Sequence, residues 1–401
     1  MTPSAPFQSS QQTGPLRGIK VVEIASIVLG PLTTQYLGDM GADVIKIEPP
    51  EGDLTRSLGP QRNKGMSAVF LNCNRNKRSV VLDLRQDADQ KRLHQIVAQC
   101  DVVVHSIRTQ ATARMGITYD VLSKLNPRLI YCHLKGFSDE GVYAGKPAYD
   151  DVIQALSGLV ALQSMTGKEP RYMPTIFADK VSALHAAYAV MLGLFERTTT
   201  GKGQKIEVPM FEAMTAFNSV EHLWGATFEP AIAGMGYETI VQAARRPYRT
   251  RDGYIAFLPY TDAHWQKFFD AIGQPGLMQD ERFCNYPARQ KHFKHVWSFV
   301  SDALACKTNA EWMSLFGGDT PIAVVNELED LLHDPHLDSV NFWQQFDHPT
   351  EGKIRLSQPA IRLHDSPANV YRLPPALGQH TDEVLREFGV GDPSPRSVAN
   401  S

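Results

Sequence analysis

Long apolar runs are missing from this 401-residue chain. Its longest apolar helical stretch, residues 181–195, contains Ser182 and His185 and is too short to cross a bilayer, so no membrane span is expected. Cysteine is scarce. Cys73, Cys100, Cys132, Cys284 and Cys306 are odd in number and form no Cys-x-x-Cys pair, which indicates neither a disulfide framework nor a zinc site and fits a reducing cytoplasm. Excess charge of one sign is lacking too: 40 basic against 43 acidic residues give a net charge of −3, with no broad attraction for nucleic acid or an anionic membrane. The 13 histidines show no metal-ligand spacing, and no metal is expected. Residues 1–14 lack the basic-then-apolar order of a signal peptide and are expected as a flexible tail.

What is present is ordinary globular material, 43% hydrophobic, enough for a large core and two or three structural units. Residues 19–24 and 44–47 are β-branched runs, and residues 32–40 between them carry helical apolar spacing ended by Gly41, which together make a β-α-β unit. The alternation continues with strands at 80–84, 102–104 and 129–134 and helices at 88–98 and 119–125, predicting an α/β fold with an open, parallel, Rossmann-like sheet. A helix over 151–162 and a long alanine-rich helix from about Lys180 to Gly201 follow. From about Met210 the pattern changes. Strand-like residues flank Asp252-Gly253 as in a hairpin, and helical segments come after it, as in a smaller α+β domain.

A dinucleotide site is the first reading of the opening unit, since Gly30 follows the first strand and Glu48 closes the second. It fails on glycine: the turn from Ile27 to Pro31 has one glycine and a proline without an N–H, where a pyrophosphate cradle needs three glycines. The same residues resemble the opening of the class III CoA-transferases, the family of formyl-CoA and carnitine CoA-transferases and α-methylacyl-CoA racemases. The resemblance rests on Leu16-Arg17-Gly18, Gly30-Pro31, residues 37–48, Pro50-Glu51-Gly52-Asp53 with Arg56, residues 72–84, residues 198–204 and residues 377–385.

The resemblance implies a large CoA-binding domain built from residues 15–209 and a return segment 326–401, a small domain at 210–325, and two chains interlocked as a homodimer. It implies an enzyme that takes CoA from an acyl-CoA and gives it to a free carboxylic acid, with coenzyme A as part of the substrate and no tightly bound cofactor. Asp179 falls where the family has its nucleophilic aspartate. CoA contacts fall on Leu84 and Arg85, on Ser106, Ile107 and Arg108, on Arg114 with Met115, and on Lys135 before Gly136.

Read from the residues alone, Asp179 precedes an apolar helix and is equally a helix N-cap. At such a site, the helix dipole and backbone donors are expected to keep a carboxylate ionised. Asp150 and Asp151 are candidates for proton transfer or for capping. Tyr149 stands where the racemase branch carries a histidine base, which weighs against α-proton chemistry, although a racemase or an idle CoA-binding homologue stays open. Arg75, Lys77 and Arg78 read either as a solvated turn or as phosphate ligands. Arg245, Arg246, Arg249 and Arg251 read as ligands for a second substrate carboxylate, as a solvated cluster or as an interface. His185 is expected in the core, and His380 as a cap or anchor of the last helix. Gly234-Met235-Gly236 and Gly317-Gly318 offer only a weak glycine-rich loop.

Overall fold

The structure is a computed structural model that describes residues 12–166, 169–241, 246–316 and 318–390; most of the expected tail, Arg245 and Gly317 lie outside these. The described residues fall into two compact units, one drawn from 1–161, 171–220 and 341–401 and the other from 162–170 and 221–340.

The first unit is built on a six-stranded parallel sheet in the order β3-β2-β1-β4-β5-β6. Its strands are β1 (Lys20–Ile24), β2 (Asp43–Glu48), β3 (Lys77–Val81), β4 (Val102–His105), β5 (Ile130–Lys135) and β6 (Gln204–Pro209). Val21 pairs with Val44 on one side and with Val102 on the other, so the winding reverses between β1 and β4. Val21, Val22, Val44, Ile45 and the whole run Val102, Val103 and Val104 are fully buried, as in a parallel sheet covered on both faces. The first helix, Leu29–Asp39, and a long helix, Phe177–Thr200, meet where the Thr33 hydroxyl approaches the Ala183 carbonyl at 3.5 Å. Gly193 lets the long helix lie close on the sheet: a Cβ there would meet Ile206 at 3.0 Å and Ile130 at 3.1 Å.

Three elements differ from the sequence expectation. β3 begins at Lys77 and ends at Val81, because its polar first half is buried against carboxylates and so carries no apolar pattern. The helix expected over 151–162 is two helices, Asp150–Leu156 and Leu159–Met165, parted by Gly158 at φ 84°. The long helix starts at Phe177, before Lys180.

The cluster Arg75, Lys77 and Arg78 is neither solvated nor free for phosphate. Arg75 forks onto Asp39 at 2.8 and 2.7 Å, Lys77 pairs with Glu23 at 2.8 Å, and Arg78 pairs with Asp43 and Glu387, each at 2.5 Å. The last helix, Thr381–Glu387, is fastened to β3, as the His380 backbone N–H donates to Ser79 O and the His380 ring accepts the Ser79 N–H.

The second unit carries an antiparallel sheet of β7 (Tyr248–Arg249), β8 (Tyr254–Phe257) and β9 (Ile322–Val324). Its core is aromatic, with Phe257, Trp265, Phe268, Trp312 and Phe316 buried together.

Candidate active site

Open parallel sheets bind ligands beyond the carboxyl ends of their strands, at the point where the winding reverses. At that point the first unit has a cavity of about 220 Å³, lined by residues that follow β1 (Ser26, Ile27), β4 (Ser106 to Thr109) and β5 (Gly136), together with Asp179.

Asp179 is not an N-cap. The cap position of the long helix is Ile176, and Asp179 sits in the first turn. The capping acceptor comes from another helix: Asp150 Oδ1 accepts the Asp179 N–H at 3.0 Å. Asp150 is held in turn by Gln154, whose Nε2 donates to its Oδ2 at 2.6 Å and whose Oε1 accepts the Met173 N–H at 2.9 Å. Asp151 is exposed.

The charge state of Asp179 also differs from expectation. Burial, and then the negative charge of Asp150, push its carboxyl up to about 7, while the Leu29 backbone N–H directed at it works the other way. Near neutral pH the group is divided between acid and carboxylate and is not fully ionised.

The turn that presents Leu29 is strained. Ile27 has φ 70°, a left-handed conformation that costs a β-branched residue of order 1–3 kcal/mol. A buried ion cluster opposes that cost. Asp53 Oδ1 accepts the Ile27 N–H at 3.2 Å, and Lys46 joins Asp53 at 2.7 Å, Glu23 at 2.7 Å and the Ala25 carbonyl at 3.0 Å. Lys46 is fully buried, and its pairing with these carboxylates outweighs its loss of hydration, which holds it protonated.

A second device fixes the loop after β4. The Ile107 N–H donates to His105 Nδ1 at 3.3 Å, and His133 Nε2 lies 2.9 Å from Ile107 O. With Nδ1 accepting, His105 carries its proton on Nε2 and donates to the Tyr131 hydroxyl at 2.7 Å, which in turn donates to Ile117 O at 2.9 Å. Burial and Lys135 hold His133 down near 4, so it is neutral and serves as a donor.

Of the residues expected at the site, Asp179, Ser106, Ile107, Arg108 and Lys135 share the cavity. Leu84, Arg85, Arg114 and Met115 do not line it. They lie beside one another, because Gln90 Nε2 donates to both the Leu84 and the Arg114 carbonyl at 2.9 Å. Arg108 and Arg114 are exposed, and neither makes an ion pair among the described residues. Lys135 is less free than expected, as it pairs with Asp139 at 2.6 Å and Glu207 at 3.0 Å. Arg85 pairs with Asp83 and Glu51 on the surface. Tyr149 lines the cavity and is 63% exposed. His185 is exposed on the long helix and not in the core.

In the second unit, Arg246 borders an aromatic cavity of about 640 Å³, Arg251 pairs with Glu311 at 3.4 Å, and Arg249 is exposed. Among the described residues no group of three or more His, Cys, Asp or Glu is placed to hold a metal ion.

Sequence reasoning missed the histidine pair, the Lys46–Asp53 pair and Gln154. The histidines were within reach, since each ends or nearly ends a parallel strand, where ligand-side residues fall.

Comparison with known proteins places the chain in a family. The pattern of CoA-transferase family III matches residues 16–381. The chain is 29% identical to succinyl-CoA:glutarate CoA-transferase of Mus musculus, covering 93% of this chain and 86% of that one. It is also 29% identical to formyl-CoA:oxalate CoA-transferase of Rhodopseudomonas palustris, over 94% and 93% of the two chains. A CAIB/BAIF family protein from Brucella suis superposes with a TM-score of 0.81 at 30% identity, covering 94% of this chain and 100% of that one. Sequence and fold agree, and the chain belongs to CoA-transferase family III.

Proposed function

We propose that the protein moves CoA from an acyl-CoA to a free carboxylic acid, with the Asp179 carboxylate carrying the group between them. The observation that supports this most is the place of Asp179, buried at the reversal point of the sheet, partly ionised near neutrality, and in one cavity with Arg108 and Lys135.

In the proposed cycle, the carboxylate attacks the donor thioester carbonyl and expels CoA thiolate, leaving a mixed anhydride on Asp179. The thiolate attacks the aspartyl carbonyl of that anhydride, which forms the aspartyl-CoA thioester and releases the donor acid as carboxylate. The acceptor carboxylate then attacks the aspartyl thioester, giving a second anhydride and thiolate. The thiolate takes the acceptor's acyl group and frees Asp179. Each step exchanges one acyl bond for another, so no ATP is consumed. Arg108 and Arg114, exposed and without an ion pair among the described residues, are the proposed partners of the phosphates of CoA, with Lys135 as a shared one.

The finer statements belong to the same reading. A homodimer is supported by an apolar stripe on the long helix, where Leu184, Tyr188 and Phe195 are 56%, 59% and 72% exposed. A cytoplasmic location is supported by five free cysteines. Among the described residues no helix is long and apolar enough to cross a membrane.

The test is exchange itself. A panel of acyl-CoAs incubated with mono- and dicarboxylic acids is expected to yield new acyl-CoAs by mass spectrometry, and Asp179→Asn is expected to abolish them. Exchange that survives this substitution refutes the role of Asp179.

A further inference from the structure

We propose that Lys46 and Asp53 are positioning residues for Asp179: their buried ion pair holds the left-handed turn at Ile27 and thereby aims the start of the first helix, through the Leu29 N–H, at the Asp179 carboxylate. The inference rests on Asp179 as the group that carries CoA.

The connection runs atom by atom. Lys46 Nζ binds the Ala25 carbonyl at 3.0 Å, and Asp53 Oδ1 binds the Ile27 N–H at 3.2 Å, so both sides of the cavity-lining turn at Ser26 are tied to one cluster. Asp53 Oδ2 receives Lys46 at 2.7 Å, and its Oδ1 also accepts the Thr55 N–H and hydroxyl, each at 2.8 Å, which fixes the carboxylate in place. Lys46 lies within β2 and Asp53 in the turn that follows it, and neither lines the cavity.

An isoleucine at φ 70° has no intrinsic reason to stay there, whereas a glycine adopts that conformation without strain. The sequence keeps a bulky β-branched side chain facing the cavity and uses a buried charge pair to impose the backbone. Val28 and Leu29 follow directly, so a relaxed Ile27 would swing the Leu29 N–H away from Asp179. Misplacement of about 1 Å at a reacting group lowers rates by as much as ~100-fold.

The experiment is a double-mutant cycle with Asp53→Asn and Ile27→Gly, read as the rate of CoA-adduct formation on Asp179 at saturating acyl-CoA. Asp53→Asn in the parent background is expected to slow adduct formation by about 10- to 100-fold. In the Ile27→Gly background the same change is expected to cost less than about 3-fold, since glycine adopts the turn without the strain that the ion pair offsets. A purely structural salt bridge would not couple to position 27. Equal losses in both backgrounds overturn the proposal.

If the Asn variant does not fold, hydrogen exchange of the unaltered protein decides. The Ile27 amide is expected to be protected like those of β1, and exchange at the rate of an open loop overturns the proposal. Absence of any adduct on Asp179 in the unaltered protein would instead sink the underlying reading, and amide exchange at Ile27 still reports on the clamp by itself.

Discussion

Asp150 Oδ1 accepts the backbone N–H of Asp179 at 3.0 Å, so one carboxylate caps the helix on which the other stands. The same contact brings a negative charge to the group proposed to react, and it is part of why the Asp179 carboxyl is pushed up to about 7.

Replacing Asp150 separates the two effects. Asp150→Asn keeps an acceptor for the Asp179 N–H and removes the charge, so the pH at which adduct formation reaches half its maximum is expected to fall, by about one unit. Asp150→Ala also loses the cap and is expected to lower stability by about 1 kcal/mol. A pH–rate profile and a denaturation curve for each variant check the pair.

Asp179→Asn is expected to abolish exchange and to stabilise the protein at neutral and alkaline pH. The native carboxyl, at about 7, holds its proton more tightly than the ordinary 3.8 of an unfolded chain. The native state therefore binds more protons between these values, and stability falls as pH rises through that window and stays lower above it. Removing the group is expected to restore roughly 2–4 kcal/mol above neutrality and little near pH ~4. Melting temperatures across pH provide the check, and a lower melting temperature at about pH 8 would mark the carboxyl as structural.

Glu23→Gln is expected to cost roughly 3–5 kcal/mol, because Lys46 and Lys77, both fully buried, lose the carboxylate they share. Burial alone would raise the pKa of Glu23, but Lys46 and Lys77 more than reverse this and hold it below 4.5. Its contribution is present above 4.5 and is lost as pH falls through the lowered native value, so the gap between the two proteins should narrow in acid. Chemical denaturation over a pH series measures it.

Arg114→Ala is expected to weaken CoA binding by about 10-fold without moving the melting temperature, because the side chain is exposed and makes no ion pair among the described residues. Lys135→Ala is expected to do both, since it removes the ion-pair partner of Asp139 and one of the two partners of Glu207, which keeps Lys205. Calorimetric titration with CoA, beside a melting curve, distinguishes the two.

The parallel sheet was legible because buried strands repeat valine and isoleucine, and the helix Tyr119–Leu125 has the span read from its apolar spacing. β3 was misplaced for the converse reason: Lys77, Arg78 and Ser79 are buried by ion pairs and hydrogen bonds, to which apolar patterning is blind. Asp179 was named as a candidate through family resemblance. Its environment was not, since its elevated pKa depends on burial and on Asp150, 29 residues earlier in the chain. Local sequence at 175–179 suggested a cap, whereas the cap is supplied across space. The clamp on Ile27 was hidden likewise, because nothing local in the strand at 44–47 or in Pro50-Glu51-Gly52-Asp53 shows that Lys46 and Asp53 meet beneath the turn.

The central claim is that CoA passes through Asp179, and intact-protein mass spectrometry tests it most directly. The protein is incubated with a panel of acyl-CoAs, quenched in acid, treated with hydroxylamine and digested. The account predicts a CoA-sized adduct before treatment and a hydroxamate on the peptide containing Asp179 afterwards, both absent from Asp179→Asn. Active exchange with no such adduct, or an adduct on a different carboxylate, would contradict it.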